Sequence, residues 1–276
     1  MKQRKQRTKQ QSKVKSYVVI AYLVFWAMVL FICGGASMLF HASPLVMRIL
    51  SNICAWSPTM VVLLMWKKLR PEQSRKEFIK EAFCGKLKIA GLLVPPMLIM
   101  GGVLITVWIL SFLEKNSFTS YFTLGGYSLW TSVFLSLLSG PTGEELGWRG
   151  YLRVELNRKY PFLRASIYQG LIWTFWHTVL WFVDSDYTGL TMIPYMLSNV
   201  IVITCITIVM NVVLEKHNNL VYAVSIHFAF NIMYCFLQIP IWFYVILCVV
   251  FVFIASGFLL YRQMDNGREK TYELCR

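Results

Sequence analysis

The stretch LGGYSLWTSVFLSLLSGPTGEELGWRG, residues 124–150, combines the two features that decide the fold of this chain. Its first part, residues 124–140, contains no charged residue, and Glu144, Glu145 and Arg149 follow shortly after it. An uncharged segment of this length indicates membrane burial, where an ionisable side chain costs roughly 2.5–3.5 kcal/mol on insertion scales. We therefore expect these three side chains either to compensate one another or to carry function.

The composition of the whole chain is typical of a multi-pass membrane protein. Of the 276 residues, 57% are hydrophobic and 14% are charged, whereas soluble domains carry about 25% charged residues. Because a membrane-embedded backbone must satisfy its own hydrogen bonds, apolar segments of about 20 residues predict helices. The sequence predicts an all-α fold, a polytopic transmembrane helical bundle of about eight spans: residues 17–40, 45–66, 88–113, 121–140, 164–183, 190–214, 219–237 and 239–261.

Positive charge alternates between the predicted loops. The net charge is +14, with Lys and Arg concentrated in residues 1–16, 67–88, 141–164 and 262–276 and scarce in the intervening loops. This alternation predicts that both termini are cytoplasmic. The chain divides into a basic cytoplasmic N-terminal arm (1–16), a transmembrane domain (17–261, with its motifs within 140–235) and a cytoplasmic tail (262–276). The arm is expected to contact anionic lipid headgroups rather than nucleic acid.

Polar side chains within or beside the spans form three groups. In a helix, Glu145 and Arg149 are four residues apart and are predicted to pair, while Glu144 lies about 100° around the helix and stays uncommitted. His177 ends the run Trp173-Thr-Phe-Trp-His, and His227 and Asn231 share one face of the seventh span. Taken singly, His177 is also typical of an interfacial residue, and the His227–Asn231 pair of a hydrogen bond between helices.

Two kinds of chemistry remain open for these residues. A carboxylate and an imidazole can hold and deprotonate a water, while a second His with an Asn can donate to an oxyanion. Alternatively, Glu144, His177 and His227 are three possible ligands for Zn²⁺, although no H-E-x-x-H motif occurs. The cysteines form no Cys-x-x-Cys pair and no His/Cys cluster, so they predict neither disulfides nor a thiolate zinc site: Cys33, Cys54, Cys84, Cys205, Cys235, Cys248 and Cys275.

These motifs, in this order, resemble the CAAX protease and bacteriocin-processing (CPBP, or Abi) membrane proteins, which are related to the type II CAAX prenyl endopeptidase. The family motif E-E-x-x-x-R is matched by Glu144 to Arg149, the aromatic-x-x-x-H motif by Trp173 to His177, and H-x-x-x-N by His227 to Asn231. The resemblance covers about residues 120–237. It departs from a common bacterial form in lacking a proline soon after His177.

The resemblance implies that Glu144 is the general base, aided by His177, with His227 and Asn231 forming the oxyanion hole and Glu145 and Arg149 supporting the site. The resemblance leaves open whether a metal is bound.

We therefore predict an intramembrane endopeptidase of the cell membrane, in a bacterial plasma membrane, that cuts a leader peptide or another membrane-associated substrate. Because Glu144 opens a basic loop, the site is expected near the cytoplasmic surface, although His177 lies deeper along its span. The alternative is a non-catalytic partner protein that confers bacteriocin immunity or regulates a membrane sensor. A transporter is disfavoured, because no symmetric pair of interrupted spans occurs. The sequence does not decide the oligomeric state.

Overall fold

The computed structural model describes residues 2–123 and 126–274, with side chains for residues 10–123 and 126–266. Over these ranges the chain is helical and forms no strand, apart from an isolated bridge between Phe122 and Leu237. The predicted all-α fold is confirmed. Of the predicted arm and tail, Met1, Cys275 and Arg276 lie outside the described residues.

Fourteen α-helices follow one another along the described chain, joined by short π and 3₁₀ segments. The π segments are Val29–Cys33 and Leu146–Leu152, and the 3₁₀ segments are Phe118–Tyr121 and Gly189–Thr191. The α-helices are α1 Lys2–Met28, α2 Gly34–Phe40, α3 Pro44–Ala55, α4 Ser57–Leu69, α5 Arg75–Ala82, α6 Ile89–Glu114, α7 Leu129–Leu138, α8 Gly140–Gly143, α9 Arg153–Asn157, α10 Phe162–Trp176, α11 Thr178–Val183, α12 Met192–His217, α13 Val221–Tyr234 and α14 Ile241–Leu274.

Five helical segments of the described chain are long and apolar enough to cross a membrane: Gln10–Phe40, Pro44–Leu69, Ile89–Glu114, Gly189–His217 and Ile241–Asn266. They correspond to five of the eight predicted spans. The segments predicted at 121–140, 164–183 and 219–237 are instead shorter helices or, at His177, interrupted ones. A count of eight spans therefore stays a prediction.

Local sequence signals account for the main helix boundaries. The Ser74 side chain accepts a hydrogen bond from the Glu77 backbone N–H, and the Glu77 carboxylate accepts one from the Ser74 backbone N–H, which forms a capping box at the start of α5. Ser43 caps α3 directly before Pro44, a residue suited to a first helical turn. At the other ends, Lys115 and Asn218 terminate α6 and α12 in the left-handed conformation.

The basic segments gather at one end of the bundle. Lys13 donates to the Leu69 carbonyl, Asn219 donates to the carbonyls of Phe83 and Gly85, and Arg262 pairs with Glu215. The loop residues 41–43, 115–123, 126–128, 184–191 and 235–240 lie at the opposite end, where the Gln238 backbone amide donates to the Tyr121 carbonyl and the Tyr187 hydroxyl to the Ile239 carbonyl. The charge alternation read from the sequence thus corresponds to two distinct ends of the molecule.

The segment with the two glutamates packs tightly into the centre of the bundle. Pro141 lies in the first turn of the short helix α8, where a proline is tolerated, and the π segment Leu146–Leu152 begins after the two glutamates. A Cβ on Gly143 would lie 2.7 Å from Trp56 Cδ1, and one on Gly147 would lie 2.6 Å from the Pro58 carbonyl oxygen. Only glycine allows this approach, so α3 and α4 hold the glutamates against the core.

Candidate active site

Glu144 is a buried carboxylate whose two oxygens have different surroundings. The residue is 3% exposed. Its Oε2 accepts hydrogen bonds from the indole nitrogens of Trp173, at 2.5 Å, and Trp148, at 3.2 Å. Its Oε1 lies 2.5 Å from the point where a Cβ on Gly140 would stand. The indoles therefore fix the carboxylate through one oxygen, and the other faces the open space above Gly140.

Glu145 and Arg149 form the predicted pair. Arg149 is fully buried and its Nη1 lies 3.2 Å from Glu145 Oε1. Its Nη2 donates to the Thr207 hydroxyl, and its guanidinium carbon stands 3.8 Å above the centre of the Trp173 ring. A buried charge needs a partner of this kind, because an isolated ion in an apolar interior is strongly unfavourable.

Glu145 also holds His227, a contact that the sequence did not predict. The Nδ1 atom of His227 lies 2.7 Å from Glu145 Oε1. Because an ionised carboxylate can only accept, His227 donates from Nδ1. The imidazole is thereby oriented so that Nε2 lies 2.8 Å from the Cβ point of Gly140, facing the same space as Glu144 Oε1.

His177 stands at the break between α10 and α11. Its Nδ1 lies 2.8 Å from the Trp173 carbonyl oxygen, and because a carbonyl only accepts, Nδ1 carries the proton. In the neutral ring Nε2 is then an acceptor. In a regular helix the His177 backbone amide would donate to the Trp173 carbonyl, but here it donates to the Thr174 carbonyl. The break therefore leaves the Trp173 carbonyl free to accept from His177 Nδ1, which fixes the tautomer of that ring.

Asn231 lies one turn after His227 on α13. Its side-chain amide has no hydrogen-bond partner among the described residues, and its carbonyl accepts from the Cys235 thiol. The hydrogen bond between helices that the pair could have formed is made by His227 alone, to Glu145.

One cavity of about 390 Å³ brings the four predicted catalytic residues together. Glu144, His177, His227 and Asn231 all line it, whereas Glu145 and Arg149 lie behind its wall. The remaining lining includes residues not predicted from the sequence, several of them beside the less basic end of the bundle: Arg48, Asp184, Tyr195, Asn199, Tyr234 and Tyr244. No simple motif links these residues, since they lie on α3, α12, α13, α14 and the loop after α11.

The predicted alternative ligands Glu144, His177 and His227 do not form a metal site in this arrangement. Over residues 10–123 and 126–266, no three His, Cys, Asp or Glu side chains are close enough to hold an ion together. We therefore derive no step through a metal.

Comparison with known proteins agrees with the motifs. Residues 126–233 match the family model described as Type II CAAX prenyl endopeptidase Rce1-like. A curated relative, CAAX prenyl protease 2 of Methanococcus maripaludis, is 29% identical over 191 residues, which cover 64% of this chain and 68% of that protein. The resemblance to type II CAAX prenyl endopeptidases is confirmed. The apolar helices together with this similarity indicate a multi-pass membrane protein, and the similarity supports an intramembrane protease.

The matched region, residues 126–233, contains all six residues predicted for the site, from Glu144 to Asn231. Residues outside it complete the surroundings: Trp56 and Pro58 press on the glycines beside the glutamates, and Arg48 lines the cavity. The apolar segment Pro44–Leu69 therefore belongs to the same structural unit as the site, although the family model does not include it.

Proposed function

We propose that this chain hydrolyses a peptide bond within the membrane, using a water bound between Glu144 and His177. The observation that carries the proposal is the shared cavity, in which Glu144 Oε1 and His227 Nε2 face one space above Gly140. The water oxygen bonds to the substrate carbonyl carbon and its proton passes to Glu144. When the carbon–nitrogen bond breaks, Glu144 gives that proton to the leaving amine.

The two histidines suit opposite roles. His177 donates from Nδ1 to a carbonyl, so its Nε2 can accept a hydrogen bond from the attacking water. His227 donates from Nδ1 to Glu145, so it can donate to an oxyanion from Nε2 only as the doubly protonated imidazolium. Glu145 is the counter-ion for that charge. The Asn231 amide supplies a second donor toward the developing oxyanion.

The substrate is a membrane-associated peptide that enters at the less basic end of the bundle. The lining of the cavity reaches Arg48, Asp184 and Tyr244, each close to a loop at that end. No residue of the basic loops at 70–74, 83–88 or 158–161 lines it. With the basic end in the cytoplasm, the cavity opens away from the cytoplasm, which revises the expectation of a site near the cytoplasmic surface.

Labelling in intact cells tests this orientation. Cys84 is exposed at the basic end, and Thr188 is exposed in the loop at the other end. A membrane-impermeant maleimide is expected to label a Thr188→Cys, Cys84→Ser chain directly. The Cys84 of the unmodified chain should be labelled only after permeabilisation. The reverse pattern would place the basic end outside and the cavity mouth in the cytoplasm.

Replacement of Gly140 by Ala tests whether the space above it is the reaction site. The new Cβ would lie 2.5 Å from Glu144 Oε1 and 2.6 Å from His227 Cε1, so both groups must move. Because misplacement by about 1 Å can cost about 100-fold in rate, we expect a loss of that order in peptide cleavage. Gly101→Ala is the matched control, since a Cβ there meets no atom within 4 Å. Equal cleavage by the two variants would show that the space is not used.

The experiment that tests the function is cleavage by the purified full chain in detergent, followed by mass spectrometry. The relative's name specifies a CAAX prenyl protease, so one arm uses a prenylated CAAX peptide and the other uses unprenylated, membrane-associated leader peptides. Cleavage in the second arm alone supports an unprenylated, membrane-associated peptide as the substrate. Cleavage in the first arm alone would indicate that the chain acts on prenylated CAAX peptides, as the relative's name specifies. No cleavage in either arm would contradict the proposal that the chain is a protease.

A further inference from the structure

A second cavity, of about 250 Å³, lies at the basic end of the bundle and is separate from the candidate active site. We propose that it binds a phosphate group. Four arginines line the cavity, and among the described residues Glu81 is the one acidic residue in the lining. The charged and amide-bearing lining residues are Arg70, Gln73, Glu81, Arg149, Arg153, Arg158, Asn218 and Asn219.

Three of the four arginines already have carboxylate partners. Arg70 and Arg158 both pair with Glu155, and Arg149 pairs with Glu145. Two carboxylates therefore pair with these three guanidinium groups, which leaves one positive charge over before any ligand binds. Because these pairs fix the guanidinium groups in place, they also give the cavity a defined, positively charged wall.

Arg153 is the exception. It is 8% exposed, and over residues 10–123 and 126–266 no carboxylate lies within ion-pair distance of it. Its Nε donates to the Arg149 carbonyl at 3.4 Å, which leaves the two terminal nitrogens without a protein acceptor. Glu215 attracts the Arg153 charge from beyond ion-pair distance, but both of its carboxylate oxygens are bonded to Arg262. A guanidinium buried to this extent favours a directly bonded anion, because an uncompensated buried charge is strongly unfavourable.

The chemistry of the cavity selects a small oxyanion. A guanidinium presents its N–H groups in a planar fork that fits two oxygens of a phosphate. The volume is below the roughly 300 Å³ at which sites for drug-sized ligands begin. A phosphate group with few attached atoms fits these limits. Its source is either free phosphate or the headgroup of an anionic lipid, which the basic end would meet in the cytoplasmic leaflet.

The test is the thermal unfolding midpoint of the purified full chain in phospholipid-free detergent. One arm adds inorganic phosphate at constant ionic strength with chloride as the reference, and the other adds phosphatidylglycerol with phosphatidylcholine as the reference. A saturable rise with inorganic phosphate supports a free anion, and a rise with phosphatidylglycerol alone supports a lipid headgroup. No rise in either arm overturns the proposal.

Variants show whether Arg153 carries the effect. Since a hydrogen bond to a charged group contributes about 1.5–3 kcal/mol, Arg153→Gln should weaken binding by about 10- to 100-fold. Arg164→Gln removes an exposed arginine outside the cavity and should leave the response unchanged. Gln73→Glu keeps Arg153 but adds a negative charge to the cavity lining, so it should also weaken phosphate binding. This second variant tests the site even if Arg153→Gln does not fold. An unaltered response in both Arg153→Gln and Gln73→Glu would overturn the assignment.

Discussion

Glu144→Gln is expected to reduce peptide cleavage by about 10²–10⁴-fold, the usual contribution of a general base, while the chain still accumulates in the membrane. The amide oxygen of glutamine can accept the hydrogen bonds from Trp173 and Trp148 that Oε2 accepts now. An amide cannot take the proton of the attacking water. The variant therefore separates catalysis from folding.

Glu72→Gln is the matched control for this exchange. Glu72 is exposed in the loop before α5, and it does not line the cavity. Both variants should be purified and compared for cleavage rate and unfolding midpoint, and Glu72→Gln should match the unmodified chain. If Glu144→Gln keeps the full biological effect of the chain, the protease is not its physiological role and a non-catalytic partner protein becomes the better description.

Arg149→Leu is expected to have the largest effect on stability, about 3–5 kcal/mol, because it removes the guanidinium that compensates the buried Glu145 carboxylate and leaves that carboxylate only its hydrogen bond with His227. Arg149 is fully buried, pairs with Glu145, donates to Thr207 and stacks on Trp173. Glu145 Oε2 already has no hydrogen-bond partner among the described atoms. The unfolding midpoint and the amount of folded protein in the membrane measure the loss.

A double variant tests the reason for that loss. In Glu145→Gln, Arg149→Leu neither buried charge remains, so the destabilisation should be smaller than the sum of the two single changes. Arg262→Gln breaks a more exposed ion pair, with Glu215, and should cost no more than about 1 kcal/mol. Strict additivity of the two single changes would show that the charges do not compensate each other. Glu145→Gln alone should also lower the midpoint more than Glu144→Gln.

The local part of the site could be predicted because helix geometry is periodic. The spacing of Glu145 and Arg149 predicts their pair, and the structure contains it at 3.2 Å even though a π segment begins at Leu146. The same spacing leaves Glu144 outside the pair. Such relationships depend only on residues within one or two turns, which composition and spacing already determine.

The contacts between distant segments could not be predicted in the same way. His227 and Glu145 are separated by 82 residues, and nothing in their separate helices indicates that they meet. Two other features also depend on contacts between distant segments. One is the pair of hydrogen bonds that the indoles of Trp173 and Trp148 donate to Glu144, and the other is the lack of an ion-pair partner for Arg153. They follow from how the helices pack, and packing depends on the whole set of side chains.

The prediction of eight spans shows the limit of hydropathy. The segments at 164–183 and 219–237 are apolar enough to be counted, but the first is interrupted at His177 and the second forms a 14-residue helix. Both carry the polar residues of the cavity. Within a bundle, neighbouring helices and a cavity can satisfy polar groups that lipid could not, so such segments need not cross as single regular helices.

The most direct test of the account is a single turnover of peptide cleavage by the purified chain in water enriched in ¹⁸O. If Glu144 activates a water that attacks the peptide bond, the new carboxyl group contains ¹⁸O from the first turnover onward. If Glu144 instead attacks as a nucleophile, water can release the product by adding to the glutamyl carbonyl, and the first product then lacks the isotope. We predict one ¹⁸O in each first-turnover product, and unlabelled product would contradict the central claim.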